Sequence, residues 1–230
     1  MVNGQGRREL VDSTAAMLPT TKHRRGRRTP RQEAALGRPT PYLLSPSPDA
    51  MAQFLREGSG PILDIGFGTG EAVVAYAQSD LETRILAVDM HTPGIGDLLA
   101  TIDEQGLANV FVVDADVRAV LTDWLPASSL AGARTFFPDP WPKKRHHRRR
   151  LIQPAFSALL ADRVIDGGFW HIATDWPDYA EHIETVVAAD SAWVGGRVER
   201  PASRPATKYE RRGLAAGRPP VDLVYERVPR

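Results

Sequence analysis

No cysteine occurs among the 230 residues, so disulfides, thiolate metal sites and a cysteine nucleophile are all excluded. The absence fits a reducing compartment. No apolar run approaches the length of a membrane span, and the stretch from Met1 to Pro19 lacks the uninterrupted apolar core of a signal peptide. A cytoplasmic protein is the expectation. Net charge is nearly missing as well: 29 Lys and Arg stand against 28 Asp and Glu, a balance of +1 with His neutral. Any strongly basic segment is therefore a local feature, and a polyanion would meet one face of the molecule.

What is present is ordinary in amount and uneven in placement. An apolar content of 42% with 25% charged residues suits one well-buried domain plus a tail at this length; a monomer or a homodimer is the expectation. Lys22-His23-Arg24-Arg25-Gly26-Arg27-Arg28-Thr29-Pro30-Arg31 holds six cations and no acid, and has no apolar spacing. Residues 1–40 are accordingly read as a basic, mobile amino-terminal arm, and residues 41–230 as a single catalytic domain.

From Pro61 short apolar runs alternate with helix-length segments. Strands are expected over 61–65, 84–89, 109–113, 133–137 and 168–173, with helices over 71–78, 93–104 and about 149–161. Repeated strand-helix-strand units predict a doubly wound α/β fold built on a mostly parallel sheet. Two late strands, at 192–194 and 221–226, are separated by a loop rich in Pro, Gly and Arg; lacking a crossover helix, they should pair antiparallel.

At the first strand-to-helix junction stands Asp64-Ile65-Gly66-Phe67-Gly68-Thr69-Gly70-Glu71. Glycines there permit a tight turn and let a nucleotide-type cofactor approach the backbone. A dinucleotide fingerprint would need glycine at position 71, which is Glu71, so the spacing is G-x-G-x-G instead. That form, with an acid two residues ahead, resembles motif I of class I S-adenosylmethionine-dependent methyltransferases. Charge agrees: Asp64 would repel a pyrophosphate and favour the cationic methionine end of S-adenosylmethionine, while Asp89 is placed for ribose hydroxyls and Asp116 for an adenine amino group.

Past the fourth strand lies Phe136-Phe137-Pro138-Asp139-Pro140-Trp141-Pro142, followed by the cationic block Lys143 to Arg150. Asp139 falls where ligands of open α/β sheets bind, and it should face the transferred methyl group. The tripeptide Asp-Pro-Trp also resembles the Asn/Asp-Pro-Pro-aromatic motif of enzymes that methylate exocyclic amino groups, so it leaves ring and amino nitrogens both open. The block suits phosphates, and as a helix start its six cations would oppose the positive end of the helix dipole unless a polyanion were bound. His146 and His147 are adjacent and point apart on any regular element, so no metal is assigned.

The wider pattern resembles the bacterial single-chain tRNA (guanine-N7)-methyltransferase family. The resemblance is carried by Phe136 to His146 with Arg148-Arg149-Arg150, by Ala173-Thr174-Asp175-Trp176, and by Thr207-Lys208-Tyr209-Glu210-Arg211-Arg212-Gly213. Gln32 to Leu36 and Asp64 to Glu71 also fall in order. The resemblance implies S-adenosyl-L-methionine as cofactor, held by Asp64, Gly66, Gly68, Gly70, Asp89, Asp116 and Asp139, with Asp139 also catalytic. It implies tRNA as substrate, methylated on guanine N7 at variable-loop position 46 and met by Lys143, Asp175, Thr207, Lys208, Tyr209 and Glu210. Asp64 stands where many members have Glu, and Tyr209 where Phe is common. Trp141 or Tyr209 could stack on the target base, whereas Trp176 and Trp193 read as core aromatics.

Overall fold

A computed structural model describes residues 26–229. Seven strands form one sheet in the order β3-β2-β1-β4-β5-β7-β6. They are β1 (Ile62–Ile65), β2 (Ile85–Asp89), β3 (Val110–Asp114), β4 (Leu130–Phe136), β5 (Val164–Thr174), β6 (Trp193–Val198) and β7 (Val221–Arg227). The first five run parallel in register, Asp64 beside Ala87 on one side and Arg134 on the other. β7 is antiparallel to both β5 and β6, as two strands joined without a crossover require.

Helices cover both faces: α1 (Pro30–Leu36), α2 (Pro48–Arg56), α3 (Glu71–Ser79), α4 (Thr92–Gln105), the short α5 (Val117–Ala119), α6 (Pro154–Arg163), α7 (Pro177–Ala188) and α8 (Lys208–Ala215). The larger core joins Leu63, Leu86 and Val113 of the sheet to Phe156, Ile183 and Trp193, around a fully buried Trp170 whose indole N–H donates to Thr135 at 3.0 Å. On the other face Val73, Ile95, Leu98 and Ile102 cover Ile85, Ala87 and Val112. The strands are apolar on both sides because both sides are covered. Among the described residues no helix is long and apolar enough to cross a membrane.

Three local expectations differ from this picture. The segment drawn as an arm is packed from residue 29: Thr29 and Gln32 form a capping box that starts α1, and Arg31 reaches Asp97, Thr101 and Glu104 of α4. Residues 1–25, Lys22 to Arg25 among them, lie outside the described residues. The helix expected from about residue 149 begins at Pro154, and Lys144–Arg149 form a separate 3-10 turn before it. The cationic block is therefore not the start of an α-helix. The loop expected before the last strand contains α8, whose Thr207 accepts from the Glu210 N–H as its cap.

Candidate active site

β1 ends at Ile65 and the chain turns through Gly66, Gly68 and Gly70, with φ of +71°, +63° and +80°, values strained for any residue with a Cβ. The turn is pressed between two helices. A Cβ on Gly68 would lie 3.1 Å from the Tyr209 ring of α8, and one on Gly94 of α4 would lie 1.8 Å from the Gly68 carbonyl oxygen. Asp89, at the end of β2, anchors it: one carboxylate oxygen accepts from the Gly68 N–H at 2.8 Å, the other from the Met90 and His91 N–H groups at 2.7 and 2.9 Å. An ionised carboxylate still has acceptor capacity beyond these three.

Asp64 is buried beneath the turn, and its Oδ2 has no hydrogen-bond partner. Burial pushes its pKa up to about 7; the Arg134 guanidinium works against the rise and Asp89 adds to it. Arg134, its neighbour across the β1–β4 pair, is also buried and lies 3.5 Å from the centre of the Tyr76 ring. A buried carboxylate oxygen without a donor calls for a cationic or N–H ligand.

Between the carboxyl ends of the strands, where β1 and β4 meet and the strand order reverses, opens a cleft of about 240 Å³. Gly66, Gly68, Asp89, Asp116, Asp139, Trp141 and Tyr209 all line it, together with Met90, His91 and Arg149. A smaller adjoining pocket is bounded by Asp64, Gly66, Phe137 and Thr207 to Tyr209. Asp116 is less open than its address suggested, because it caps α5 and both its oxygens are held by Arg118. Burial tends to raise its pKa, but the Arg118 hydrogen bonds outweigh that and lower it.

The Pro138-Asp139-Pro140 loop is bracketed by two residues in the left-handed region, Phe137 at φ +53° and Trp141 at φ +45°. Such values in bulky residues persist where surroundings enforce them, and they recur at functional sites. Here the Phe137 N–H donates to Ala173 O at 2.7 Å, and the buried Arg150 donates to Pro140 O at 2.9 Å while pairing with Asp178. Asp139 is thereby held, exposed, at the cleft. The Trp141 ring has the Arg149 guanidinium 5.1 Å from its centre and its indole N–H is buried without a partner.

Of the residues expected to meet substrate, Lys143 is exposed beside the 3-10 turn, and Lys208 and Tyr209 reach the pockets. Thr207 also lines the smaller pocket, whereas Asp175 and Glu210 are turned elsewhere. Asp175 accepts from Arg218 at 3.0 Å, packs on Gly213 of α8 and does not line the cleft. Glu210 is buried between Arg200 and Arg204, whose hydrogen bonds overcome the effect of burial and lower its pKa. Arg150 likewise faces inward, leaving Lys144, Arg145, Arg148 and Arg149 as the exposed cations of the turn. Sequence reasoning missed α8 although Thr207-Lys208-Tyr209-Glu210 has the spacing of a helix cap. It also missed His171, Arg204 and Asp222, which carry no local signal. Among the described residues, no group of three or more His, Asp or Glu side chains could hold a metal ion.

A parallel sheet in this order, extended by an antiparallel β7 and carrying a glycine turn after β1, defines a class I methyltransferase fold. Solved structures agree on the fold: the 16S rRNA methyltransferase KamB superimposes with a TM-score of 0.57 at 17% identity over 80% of this chain and 94% of its own. The 16S rRNA (adenine(1408)-N(1))-methyltransferase from Catenulisporales acidiphilia gives 0.56 at 15% identity, with the same coverage. A family model described as "Putative methyltransferase" matches residues 60–223. The tRNA (guanine-N(7)-)-methyltransferase of Halorhodospira halophila is 48% identical over 73% of this chain and 75% of its own length. That of Streptomyces avermitilis is also 48% identical, over 73% of this chain and 59% of its own, and that of Bordetella parapertussis 42%, over 90% and 84%. The chain belongs to the tRNA (guanine-N(7)-)-methyltransferase family.

Proposed function

We propose that this chain is a cytoplasmic enzyme, monomeric or homodimeric, that transfers the methyl group of S-adenosyl-L-methionine to N7 of guanine in tRNA, at variable-loop position 46. The observation that carries the reading is that Asp139, on a strained and clamped loop, lines the same cleft as the glycine turn. The cofactor fits the residues present. The orphaned Asp64 oxygen suits the ammonium of the methionine end, Gly66 presents open space to the cleft, and Asp89 and Asp116 stand along the wall for the nucleoside. Bound there, S-adenosyl-L-methionine supplies a methyl group made electrophilic by its sulfonium.

The remaining work belongs to the chain itself. Guanine N7 has an in-plane lone pair and no proton, so no residue need act as general base. Positive charge grows on the base as the bond forms, and a fixed carboxylate at Asp139 stabilises it without reorganising. Trp141 and Tyr209 flank the cleft as stacking surfaces, each good for roughly 1–3 kcal/mol of base stacking. Lys143, Lys144, Arg145, Arg148 and Arg149 hold phosphates beside the mouth.

The test is incubation with unmodified tRNA and labelled S-adenosylmethionine, followed by aniline cleavage at the methylated nucleotide. Transfer to an aniline-sensitive guanine is expected; label on another base or none with folded protein would overturn the reading. Asp139→Ala should lose turnover by about 10²-fold or more, with tRNA affinity within about threefold of wild type by filter binding.

A further inference from the structure

Away from the cleft, five ionisable side chains are gathered where the antiparallel end of the sheet meets α8. His171 of β5 hydrogen bonds to Asp222 of β7 at 2.8 Å, Asp222 pairs with Arg204 at 2.6 Å, and Arg204 makes two bonds to Glu210 at 2.9 and 3.0 Å. Arg200 completes the set with Glu210 at 2.7 Å. The Arg204 side chain has no exposure at all, and Asp222 and Glu210 have 1% and 5%. Taking so many charges out of water is costly, and apolar residues of similar volume would pack as well or better. What the charges add is a fixed geometry.

That geometry concerns the roof of the small pocket. Glu210 follows Tyr209 directly, and Tyr209 covers Gly68 while Lys208 reaches the pocket that contains Asp64. The Arg204 guanidinium also lies 5.9 Å from the Phe136 ring and 5.8 Å from the Phe137 ring, and Phe137 stacks on Tyr209 at 6.5 Å with 25° between planes. One buried cation thus touches the helix that roofs the pocket and the strand end that leads to Asp139. Glu71 also ties α8 to the glycine turn, accepting from the Lys208 N–H at 2.8 Å and pairing with Arg211 at 3.1 Å, but these contacts are exposed and correspondingly weaker.

We propose that Arg204 is a positioning residue: its two hydrogen bonds to Glu210 and its ion pair with Asp222 set α8 and the Phe136-Phe137 wall in register, preforming the pocket for the amino-acid end of the cofactor. The inference rests on the reading that the cleft binds S-adenosylmethionine. A lysine cannot serve in its place, since one ammonium cannot reproduce a planar two-bond fork on Glu210 together with an ion pair to Asp222.

The test compares wild type, Arg204→Lys, Arg204→Ala and Glu210→Gln for equilibrium binding of S-adenosylhomocysteine and of 5′-methylthioadenosine, which lacks the amino-acid end. Each variant should lose about tenfold or more in S-adenosylhomocysteine affinity and keep 5′-methylthioadenosine affinity within about twofold, a contrast expected when a charged fork is removed from one end of a site. Added guanidinium ion should restore part of the loss in Arg204→Ala and none in Glu210→Gln. Equal loss for both ligands would mark general damage and overturn the proposal, as would unchanged S-adenosylhomocysteine binding; if Arg204→Ala does not fold, Arg204→Lys and Glu210→Gln carry the comparison. Wild type that binds neither ligand overturns the cofactor reading and this inference with it. Wild type that binds both but methylates no tRNA overturns only the proposed reaction.

Discussion

Asp64 shows how much one side chain's surroundings can alter its chemistry. With no hydrogen-bond donor on its Oδ2 and a pKa raised to about 7 by burial, it is largely protonated in the free protein below neutrality. Its folded pKa exceeds the unfolded value of about 3.9, so the folded state binds the extra proton, and stability falls as pH rises from about 4 to about 7. Cofactor binding should run the other way, because only the ionised carboxylate attracts an ammonium. S-adenosylmethionine affinity is therefore expected to rise between pH 6 and pH 8 by titration calorimetry, and Asp64→Asn should flatten that rise. The same substitution should reduce the fall in melting temperature over pH 4–7. A pH-independent affinity in wild type would remove Asp64 from the cofactor site.

At the scale of elements, the 3-10 turn Lys144–Arg149 separates two roles that look alike in sequence. Lys144, Arg145, Arg148 and Arg149 are exposed, whereas Arg150 is buried against Pro140 O and Asp178. Neutralising the exposed four should weaken tRNA binding and shrink the salt slope by roughly 0.7–0.9 for each phosphate no longer neutralised, read from affinity against salt concentration. Arg150→Ala should behave differently, costing about 1–3 kcal/mol of stability through the orphaned carbonyl and slackening the Asp139 loop, with the salt slope nearly kept. An unchanged slope in the first variant would deny the turn its phosphates. A dense run of cations announces a polyanion site, but which of them turns inward depends on Tyr179 and Asp178 of α7, far along the chain.

Across the whole molecule, one sheet carries both the site and its supports. Trp170 sits at the centre of the larger core, tilted against Phe156 at 6.1 Å and Trp193 at 5.6 Å. Its replacement by Ala should cost about 3–5 kcal/mol in urea unfolding, and S-adenosylhomocysteine affinity below the transition should change little because the cleft lies at the strand ends. A large affinity loss in the folded variant would mean that core and site are coupled through the sheet. Such coupling is expected instead at the antiparallel end, where Arg204 and Asp222 join β7 to the pocket roof.

The amino-acid sequence alone determined the strand-helix alternation, the G-x-G-x-G turn, the acids at successive strand ends and the loop that carries Asp139. These are legible because each rests on local periodicity, on a glycine's backbone freedom or on a rule linking strand ends to ligands. Thr207 to Glu210 was legible as a motif and carries helix-cap spacing, but nothing local showed that Glu210 turns inward. Only the tertiary structure decided that Arg31 and Arg150 serve the fold, that Arg118 holds Asp116, that Asp175 braces α8, and that His171, Asp222, Arg204 and Glu210 meet. The physical reason is common to all of them. A charge declares its sign in the sequence, but whether it faces solvent, a ligand or an opposite charge is set by residues brought near only when the chain folds.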